Sequence, residues 1–192
     1  AARNADRTKA AAKGKEKGYI FQTNFPPTRQ DYYSDTSQTE FSAVVLDCKP
    51  LTQAQIDSLN LSSEVVETPT HSVVLDSTLF YPEGGGQLGD QGSLGIARVV
   101  DTRIESGVIY HLTNSSVEEG EITGKIDWER RRQLMDHHTA VHIVGGSARA
   151  ILGPHIWQAG SNKGGRYARI DLTHYSRLSR DDLDKIEDHA ND

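Results

Sequence analysis

The chain has 192 residues, a formal net charge of −6 and 35 % hydrophobic residues, which is typical of a globular protein with one domain or two small ones. The negative charge excludes a global positive field that would draw in nucleic acid, but local recognition of one RNA end stays open. Cys48 is the single cysteine, so no internal disulfide forms and a reducing compartment is expected. The sequence shows neither a signal peptide nor an apolar stretch long enough to span a bilayer. We therefore expect a cytoplasmic protein without a membrane partner.

Residues 1–36 are predicted to form an N-terminal arm and linker. Residues 1–31 contain seven basic and three acidic side chains, so this part is positive while the rest of the chain is negative. The Ala- and Lys-rich beginning is typical either of a solvated helix reaching Gly14 or Gly18 or of a disordered segment. The stretch NFPPTRQDYYSD is predicted to be an extended linker, because its two consecutive prolines forbid a helix.

Residues 37–127 are predicted to form a β-barrel domain. Short β-branched runs recur at hairpin spacing, separated by turns rich in Gly, Asn and Ser. The runs are EFSAVVLD, HSVVLD, SLGIARVVD, GVIYHL and EITGKID. Many short strands in succession are typical of a small barrel or sandwich. The stretch LTQAQIDSLNLSS is the exception and predicts one or two helical turns.

Residues 128–192 begin with a stretch whose apolar pattern predicts a helix. The stretch WERRRQLMDHHTAVHIVGGSARAIL lacks proline, and its apolar residues fall at helical spacings. We expect a long helix that ends before Gly153 and Pro154. The same stretch predicts an interruption or strain near Gly145 and Gly146.

A loop, one strand and a closing helix are predicted after the long helix. The strand is expected at Tyr167 to Leu172, after the loop HIWQAGSNKGG. Ser179 and Asp182 have the spacing of a capping box, which starts the closing helix. The expected fold class is therefore α+β, with a small β-barrel followed by a partial α/β core that carries the long helix.

His138 and His142 stand four residues apart on the predicted long helix. They share one helix face about 5.4 Å apart along the axis. Two imidazoles at this spacing can bind one zinc ion at about 2.0–2.1 Å. The motif is not that of a zinc protease, because Thr139 stands where H-E-x-x-H has its general base. The alternative is two surface or capping histidines, and even as ligands the pair supplies only half of a zinc site.

The stretch FYPEGGGQLGD carries three consecutive glycines followed by Gln87. Gly84, Gly85 and Gly86 allow positive φ and a close approach of a ligand to the main chain. Gln87 adds one uncharged acceptor and two donors, which can hold a water or a carbonyl oxygen. The alternative is a flexible hairpin with a solvated glutamine.

Four motifs in order closely resemble the editing domain of alanyl-tRNA synthetases and the related free-standing AlaX editing proteins. They are LDSTLFYPEGGGQLGDQG, HHTAVHIV, HIWQAGS and RYARIDLTH. The linker PTRQDYYSD running into EFSAVVLD is similar to the archaeal type of alanyl-tRNA synthetase. The resemblance implies hydrolysis of the ester in tRNA(Ala) mischarged with serine or glycine. It also implies a β-barrel and an α+β editing core whose H-x-x-x-H helix holds zinc.

The resemblance assigns roles to individual residues. It implies that His138 and His142 are two zinc ligands. Thr78 and Gln87 are implied as catalytic residues, with Thr78 also selecting serine by its hydroxyl. The residues implied in substrate binding are Thr78, Gly85, Gly86, Gln87, Gln158 and Ser161. Arg169 and Asp171 correspond to strand residues near the site.

The resemblance also predicts an incomplete metal site. The family supplies its other zinc ligands from a C-x-x-x-H motif beyond the closing helix, and no cysteine follows Cys48. We therefore expect a piece of a longer synthetase that lacks the aminoacylation domain, binds zinc weakly or not at all, and is poorly active alone. Its expected partners are the aminoacylated 3′ end of tRNA(Ala) and the remainder of the synthetase chain. The alternatives are a free-standing AlaX-type hydrolase acting in trans and a non-catalytic RNA-binding or structural module.

Overall fold

Six antiparallel strands close into a barrel, and a helical unit follows it. The computed structural model describes residues 20, 21 and 24–192. Its strands are β1 (Arg29–Gln30), β2 (Glu40–Pro50), β3 (His71–Leu75), β4 (Ser77–Thr78), β5 (Gly92–Leu94), β6 (Ala97–Glu105), β7 (Val108–Thr113), β8 (Gly120–Ile126), β9 (Gln158–Lys163) and β10 (Ala168–Leu172). Its helices are α1 (Gln53–Ser58), α2 (Trp128–Leu152) and α3 (Arg180–Asn191). The barrel runs in the order β2-β3-β7-β6-β5-β8, with β8 paired back onto β2, and the predicted α+β class is confirmed.

Strands β3 and β7 are buried on both faces. Val73, Leu75 and Ile109 belong to the main barrel core. Val74 and Leu112 face a second apolar cluster on the other side. Because both faces are covered, the two strands appear in the sequence as nearly continuous apolar runs rather than alternating ones.

The run SLGIARVVD is a hairpin, so its interpretation as one strand is wrong. Leu94 of β5 pairs with Ala97 of β6 across a two-residue loop. Gly95 in that loop has a φ of +55°, and the side chain of Ile96 is fully exposed. A two-residue hairpin loop needs positive φ, which glycine adopts without steric cost.

The N-terminal linker is only partly extended. The residues around its two prolines are not helical, as predicted, but β1 pairs in parallel with β4 and a 3-10 turn follows at Asp31–Tyr33. The prediction of an extended linker is therefore wrong at this turn, whose Tyr32 is buried in the barrel core. The predictions for residues 1–19 lie outside the described residues. The predicted domain boundaries at residues 36 and 127 stay predictions.

Helix α2 is continuous from Trp128 to Leu152, so the predicted interruption at its two glycines is wrong. Asp127 caps its start by accepting a hydrogen bond from Arg130 N. The helix ends at Gly153, whose φ of +111° lies outside the helical region. Gly145 packs closely against Ile170 of β10, a position that leaves little room for a larger side chain.

The segment after α2 contains a β-hairpin where a loop and one strand were expected. Strands β9 and β10 pair antiparallel, so the prediction of a loop at residues 158–163 is wrong. Helix α3 begins at the predicted capping box, in which Ser179 and Asp182 bond to each other's backbone N–H groups. Ile186 of α3 packs with Ala148 and Ile156 in a third apolar cluster.

Two ion pairs attach α2 to the barrel and its loops. Arg131 contacts Asp90 through both Nε, at 2.7 Å, and Nη2, and both side chains are buried. Arg130 Nη1 lies 2.8 Å from Glu64 Oε2. Since Asp90 ends the glycine-glutamine loop, the first pair fixes that loop against the helix. Within the described part of the chain, no helix is long and apolar enough to cross a membrane.

Candidate functional site

The glycine-rich loop is a tight reverse turn. Gly84 and Gln87 exchange backbone hydrogen bonds of 3.1 Å and 2.9 Å. Gly85 and Gly86 between them have φ values of +57° and +81°, as a two-residue hairpin loop with two positive φ angles requires. A Cβ on Gly86 would lie 2.4 Å from the carbonyl oxygen of Ser161. The third glycine therefore allows the loop to contact strand β9.

Backbone pairing fixes this loop against β9. Lys163 N donates to Gly86 O at 2.7 Å, and Leu88 N donates to Lys163 O at 3.2 Å. Gln87 lies between these two bonds, so its position is set by the end of β9 as well as by its own turn. The side chain of Gln87 is consequently held in place and only 4 % exposed.

Gln87 contacts the histidine pair directly. Its Oε1 lies 2.8 Å from His138 Nδ1. An amide oxygen only accepts hydrogen bonds, so the proton lies on Nδ1 and the other ring nitrogen, Nε2, keeps a lone pair. A metal-ligating histidine has this arrangement, in which a polar partner fixes the tautomer. The structure therefore joins the two motifs that the sequence analysis singled out separately.

His138 and His142 lie side by side on α2. Their ring centroids are 5.1 Å apart and the rings are stacked at 22°. Burial lowers the pKa of His138, and the nearby Lys163 and His142 lower it further. A lowered pKa keeps the imidazole neutral, which is the form that binds a metal ion.

The donor set of this pair fits zinc only in part. Imidazole nitrogen is a normal zinc ligand, and two of them on one helix face suit a single ion. Among residues 20, 21 and 24–192, however, no group of three His, Cys, Asp or Glu side chains lies close enough together to hold a metal ion. The described residues thus offer at most two of the three or four protein ligands that a zinc site uses.

Lys163 is a site residue that the sequence analysis missed. Its side chain is buried, and Nζ donates to Gly85 O at 2.6 Å and to Ser161 Oγ at 2.8 Å. Burial lowers the pKa of this ammonium group. The lysine links the glycine loop to Ser161. The sequence analysis predicted a loop over HIWQAGSNKGG and gave Lys163 no role. Only a strand gives the Lys163 side chain a fixed direction.

Gln158 and Ser161 lie together on β9. Gln158 Nε2 donates to Ser161 Oγ at 3.0 Å, and Gln158 is exposed. Ser161 Oγ also accepts from Lys163, so the hydroxyl links the exposed Gln158 to the buried Lys163. The structure thus brings together five predicted substrate-binding residues: Gly85, Gly86, Gln87, Gln158 and Ser161.

Thr78 occupies a separate, fully buried position in the barrel. Its hydroxyl accepts from Phe80 N at 3.0 Å and lies 2.8 Å from His111 Nε2. His111 Nδ1 lies 3.1 Å from Val73 O, so Nδ1 donates and Nε2 accepts the Thr78 proton. No hydrogen bond among the described residues joins Thr78 to Gln87, and the predicted contact of Thr78 with a substrate stays a prediction.

A cavity of about 690 Å³ borders the glycine loop. Its walls include Gly84, Gly85 and Gly86 together with Phe21 and Arg103. As far as the described residues go, neither Gln87 nor either histidine lines it.

Comparison with known proteins shows the family. The family model for class II tRNA synthetases (A) matches residues 1–130. The chain belongs to this family. It is also similar to alanine–tRNA ligases from several archaea. It is 43 % identical over 173 residues to the enzyme of Natronomonas pharaonis, covering 88 % of this chain and 17 % of the relative.

Other relatives cover the chain from end to end. The alanine–tRNA ligase of Halobacterium salinarum is 42 % identical over 197 residues, covering 100 % of this chain and 20 % of the relative. That of Methanoregula boonei is 40 % identical over 195 residues, covering 98 % of this chain and 19 % of the relative. This synthetase-family chain thus spans about a fifth of the length of the relatives it matches. The similarity includes His138, His142 and the β9–β10 hairpin, which lie beyond the part matched by the family model.

Proposed function

We propose that this chain forms part of an aminoacyl-ester hydrolase site that removes serine or glycine from mischarged tRNA(Ala). The observation that carries the proposal is the hydrogen bond between Gln87 and His138, which joins the glycine loop to the histidine pair of α2. A purely structural glycine turn would not need a buried glutamine joined to a histidine on another element. The similarity to alanine–tRNA ligases supports the choice of tRNA(Ala) as the substrate.

Each side chain has the role that its hydrogen-bond donors and acceptors allow. Gln87 uses Oε1 on His138, so its NH₂ group is the part that orients the ester carbonyl or a water. Ser161, held by Lys163, presents its hydroxyl beside the glycine turn. A pocket with a hydroxyl partner discriminates against alanine, because a polar group of the pocket is left unpaired when alanine binds.

Thr78 is proposed to help select serine. Its hydroxyl donates to His111 and accepts from Phe80 N, which leaves one acceptor lone pair. Thr78 is 0 % exposed, so a substrate hydroxyl does not reach that lone pair in this conformation. His111 holds the Thr78 hydroxyl in a single orientation.

Zinc is the proposed cofactor, with His138 and His142 as two of its ligands. When bound, zinc supplies Lewis-acid polarisation of an oxygen at the site. Gln87 contributes by keeping the His138 tautomer that leaves Nε2 available. Since the described residues hold only two donors, we expect this chain alone to bind zinc weakly and to turn over slowly. The remaining ligands would come from the remainder of a synthetase chain, and we expect the protein to act in the cytoplasm.

A non-catalytic RNA-binding module is the second candidate. The two-donor metal site favours it, because an incomplete site could persist after catalysis is lost. The two candidates differ in turnover. A hydrolase releases amino acid from the RNA, whereas a binding module retains acylated tRNA unchanged. A free-standing enzyme acting in trans would perform the same hydrolysis as the first candidate.

The test uses single-turnover conditions in the presence of zinc, with a full-length alanine–tRNA ligase that contains this segment in excess over acylated tRNA. Serine, glycine and alanine esters of tRNA(Ala) are compared by the release of labelled amino acid. We expect the serine and glycine esters to be hydrolysed faster than the alanine ester and faster than in buffer. Equal rates for all three esters, or rates equal to those in buffer, would contradict the proposal.

A further inference from the structure

Basic residues outnumber acidic ones in the part of the chain that lies between Asp136 and Asp181. Between Asp136 and Asp181 the sequence contains one acidic residue, Asp171, although the whole chain carries −6. The same stretch contains six basic residues: Arg149, Lys163, Arg166, Arg169, Arg177 and Arg180. It covers most of α2, the β9–β10 hairpin and the loop before α3. Lys163 is buried, whereas the five arginines reach the surface, where a polyanion is their complementary partner.

Exposed aromatic rings gather where this stretch enters and leaves the hairpin. The Trp157 side chain is 54 % exposed, and the guanidinium of Arg149 lies 4.1 Å from its ring centroid. Tyr175 is 86 % exposed, and its ring centroid lies 4.6 Å from that of His174. His155 stacks on His174 at 5.2 Å. We call Trp157, Tyr175, His155 and His174, with Arg149, the aromatic platform.

Hydrogen bonds through the backbone and side chain of Thr173 connect the two sides of the platform. Trp157 N donates to Thr173 Oγ1 at 2.8 Å, and Thr173 N donates to Trp157 O at 2.9 Å. The side chain of Thr173 also donates to His155 O at 2.9 Å. The two segments that carry the rings are therefore bonded to each other at the open end of the β9–β10 hairpin. Flat rings beside cations are the surface on which unpaired nucleobases stack.

The platform is continuous with the candidate site. Trp157 directly precedes β9, and Ser161 lies four residues further along that strand, or roughly 13 Å at the usual rise per residue. Stacked nucleotides rise about 3.4 Å each along one strand. A few unpaired nucleotides are thus long enough to run from the platform to the glycine loop.

We propose that the aromatic platform stacks the unpaired nucleotides of an RNA 3′ end whose acyl group lies beside Gln87. The position of the acyl group rests on the proposed function, whereas the RNA binding does not require hydrolysis. The rings supply sequence-tolerant stacking, and Arg149 supplies a cation for the phosphates. The platform therefore contributes to the affinity for the RNA end, not to the chemical step.

The test measures RNA binding by the complete chain without any acylated substrate. In a Trp128→Phe background, Trp157 is the only tryptophan and reports on the platform by its fluorescence. The probe is a single-stranded RNA octamer ending in CCA, titrated against the protein and followed in parallel by anisotropy of a labelled copy. We expect quenching on binding, and a loss of affinity of about tenfold or more for Trp157→Ala. Tyr175→Ala should also weaken binding, and its exposure makes it a variant that leaves the fold intact.

Matched controls lie elsewhere on the surface. Tyr33→Ala removes an aromatic ring that is 73 % exposed in the turn before the barrel, and Arg132→Gln removes an exposed cation from the start of α2. Both should leave the RNA affinity unchanged. Unquenched Trp157 fluorescence, or equal affinities for the wild type, Trp157→Ala and Tyr175→Ala, would overturn the platform. If RNA binding depends on Trp157 but no ester is hydrolysed, the proposed function is contradicted, whereas the proposal of the aromatic platform is not.

Discussion

Gln87 Oε1 accepts a hydrogen bond from His138 Nδ1 across 2.8 Å, although 51 residues separate them in the chain. The bond is possible because the glycine turn contacts β9 and because Arg131 of α2 holds Asp90 at the end of the same loop. It fixes the histidine tautomer and leaves Nε2 as a potential metal ligand. A loop, a hairpin and a helix therefore have to be in place together before the site exists.

Loss of this bond should weaken zinc binding. In a full-length alanine–tRNA ligase that contains this segment, we expect Gln87→Ala to lower zinc affinity about 10- to 100-fold, the usual effect of removing the partner of a metal-ligating histidine. Competition with a chromophoric chelator measures it. Gln133→Ala is the matched control, since Gln133 lies on α2 and bonds to His137 rather than to His138. Equal zinc affinities for Gln87→Ala and the control would contradict the assignment.

The three glycine positions in the loop and helix should respond differently to alanine. Gly85→Ala meets only the strain of positive φ and should lower the free energy of unfolding by about 1–2 kcal/mol. Gly86→Ala adds the clash with Ser161 and should cost roughly 2–5 kcal/mol. Gly146→Ala has open space inside α2 and should stabilise the protein by roughly 0.5–1 kcal/mol. Urea unfolding measures all three, and equal costs at Gly85 and Gly86 would show that the contact with Ser161 is absent.

The buried ion pair between Asp90 and Arg131 should be sensitive to removal of one partner. Burial raises the pKa of Asp90, and the Arg131 guanidinium opposes that rise. Asp90→Asn leaves the Arg131 charge buried without a counterion, so we expect a loss of about 3–5 kcal/mol in the free energy of unfolding. Asp136→Asn, in the exposed pair with Arg132, should change it by about 0.5 kcal/mol or less. Similar effects of the two substitutions in chemical denaturation would refute the importance of the buried pair.

Acidification should destabilise the barrel through His111. Burial lowers its pKa to about 4, below the usual value of 6.5, so the unfolded chain takes up the proton first as pH falls. The stability contributed by the neutral imidazole is complete above pH 6.5 and is lost between pH 6.5 and 4, at about 1.4 kcal/mol per pH unit. Urea unfolding at pH 7, 6 and 5 should therefore show a shallower pH dependence for His111→Asn than for the wild type. The same slope in both proteins would mean that His111 is not the group responsible.

Much of the fold could be predicted because it depends on local pattern. The β-branched runs became strands, and the spacing of Leu134 and Val141 predicted α2. The errors arose where tertiary contacts decide the structure. Gly145 and Gly146 remain helical because α2 packs on α3 and β10, and residues 158–163 form a strand because they pair with β10 and the glycine loop.

The sequence predicted several residues of the candidate site but not how they are arranged in space. Gln87 and His138 were each singled out, and only the folded chain joins them. Lys163 and His111 have no motif of their own. Their significance lies in burial and in hydrogen bonds to distant residues, such as Gly85 for Lys163 and Thr78 for His111, which sequence spacing does not encode.

The most direct test of the account measures serine release from Ser-tRNA(Ala) by a full-length alanine–tRNA ligase that contains this segment, with Gln87 intact or replaced by alanine. Charging of tRNA(Ala) with alanine is measured in the same preparations. We predict that Gln87→Ala slows serine release about 10- to 100-fold and leaves alanine charging unchanged. Unchanged serine release, or an equal loss of both activities, would contradict hydrolysis at the site built around Gln87 and His138.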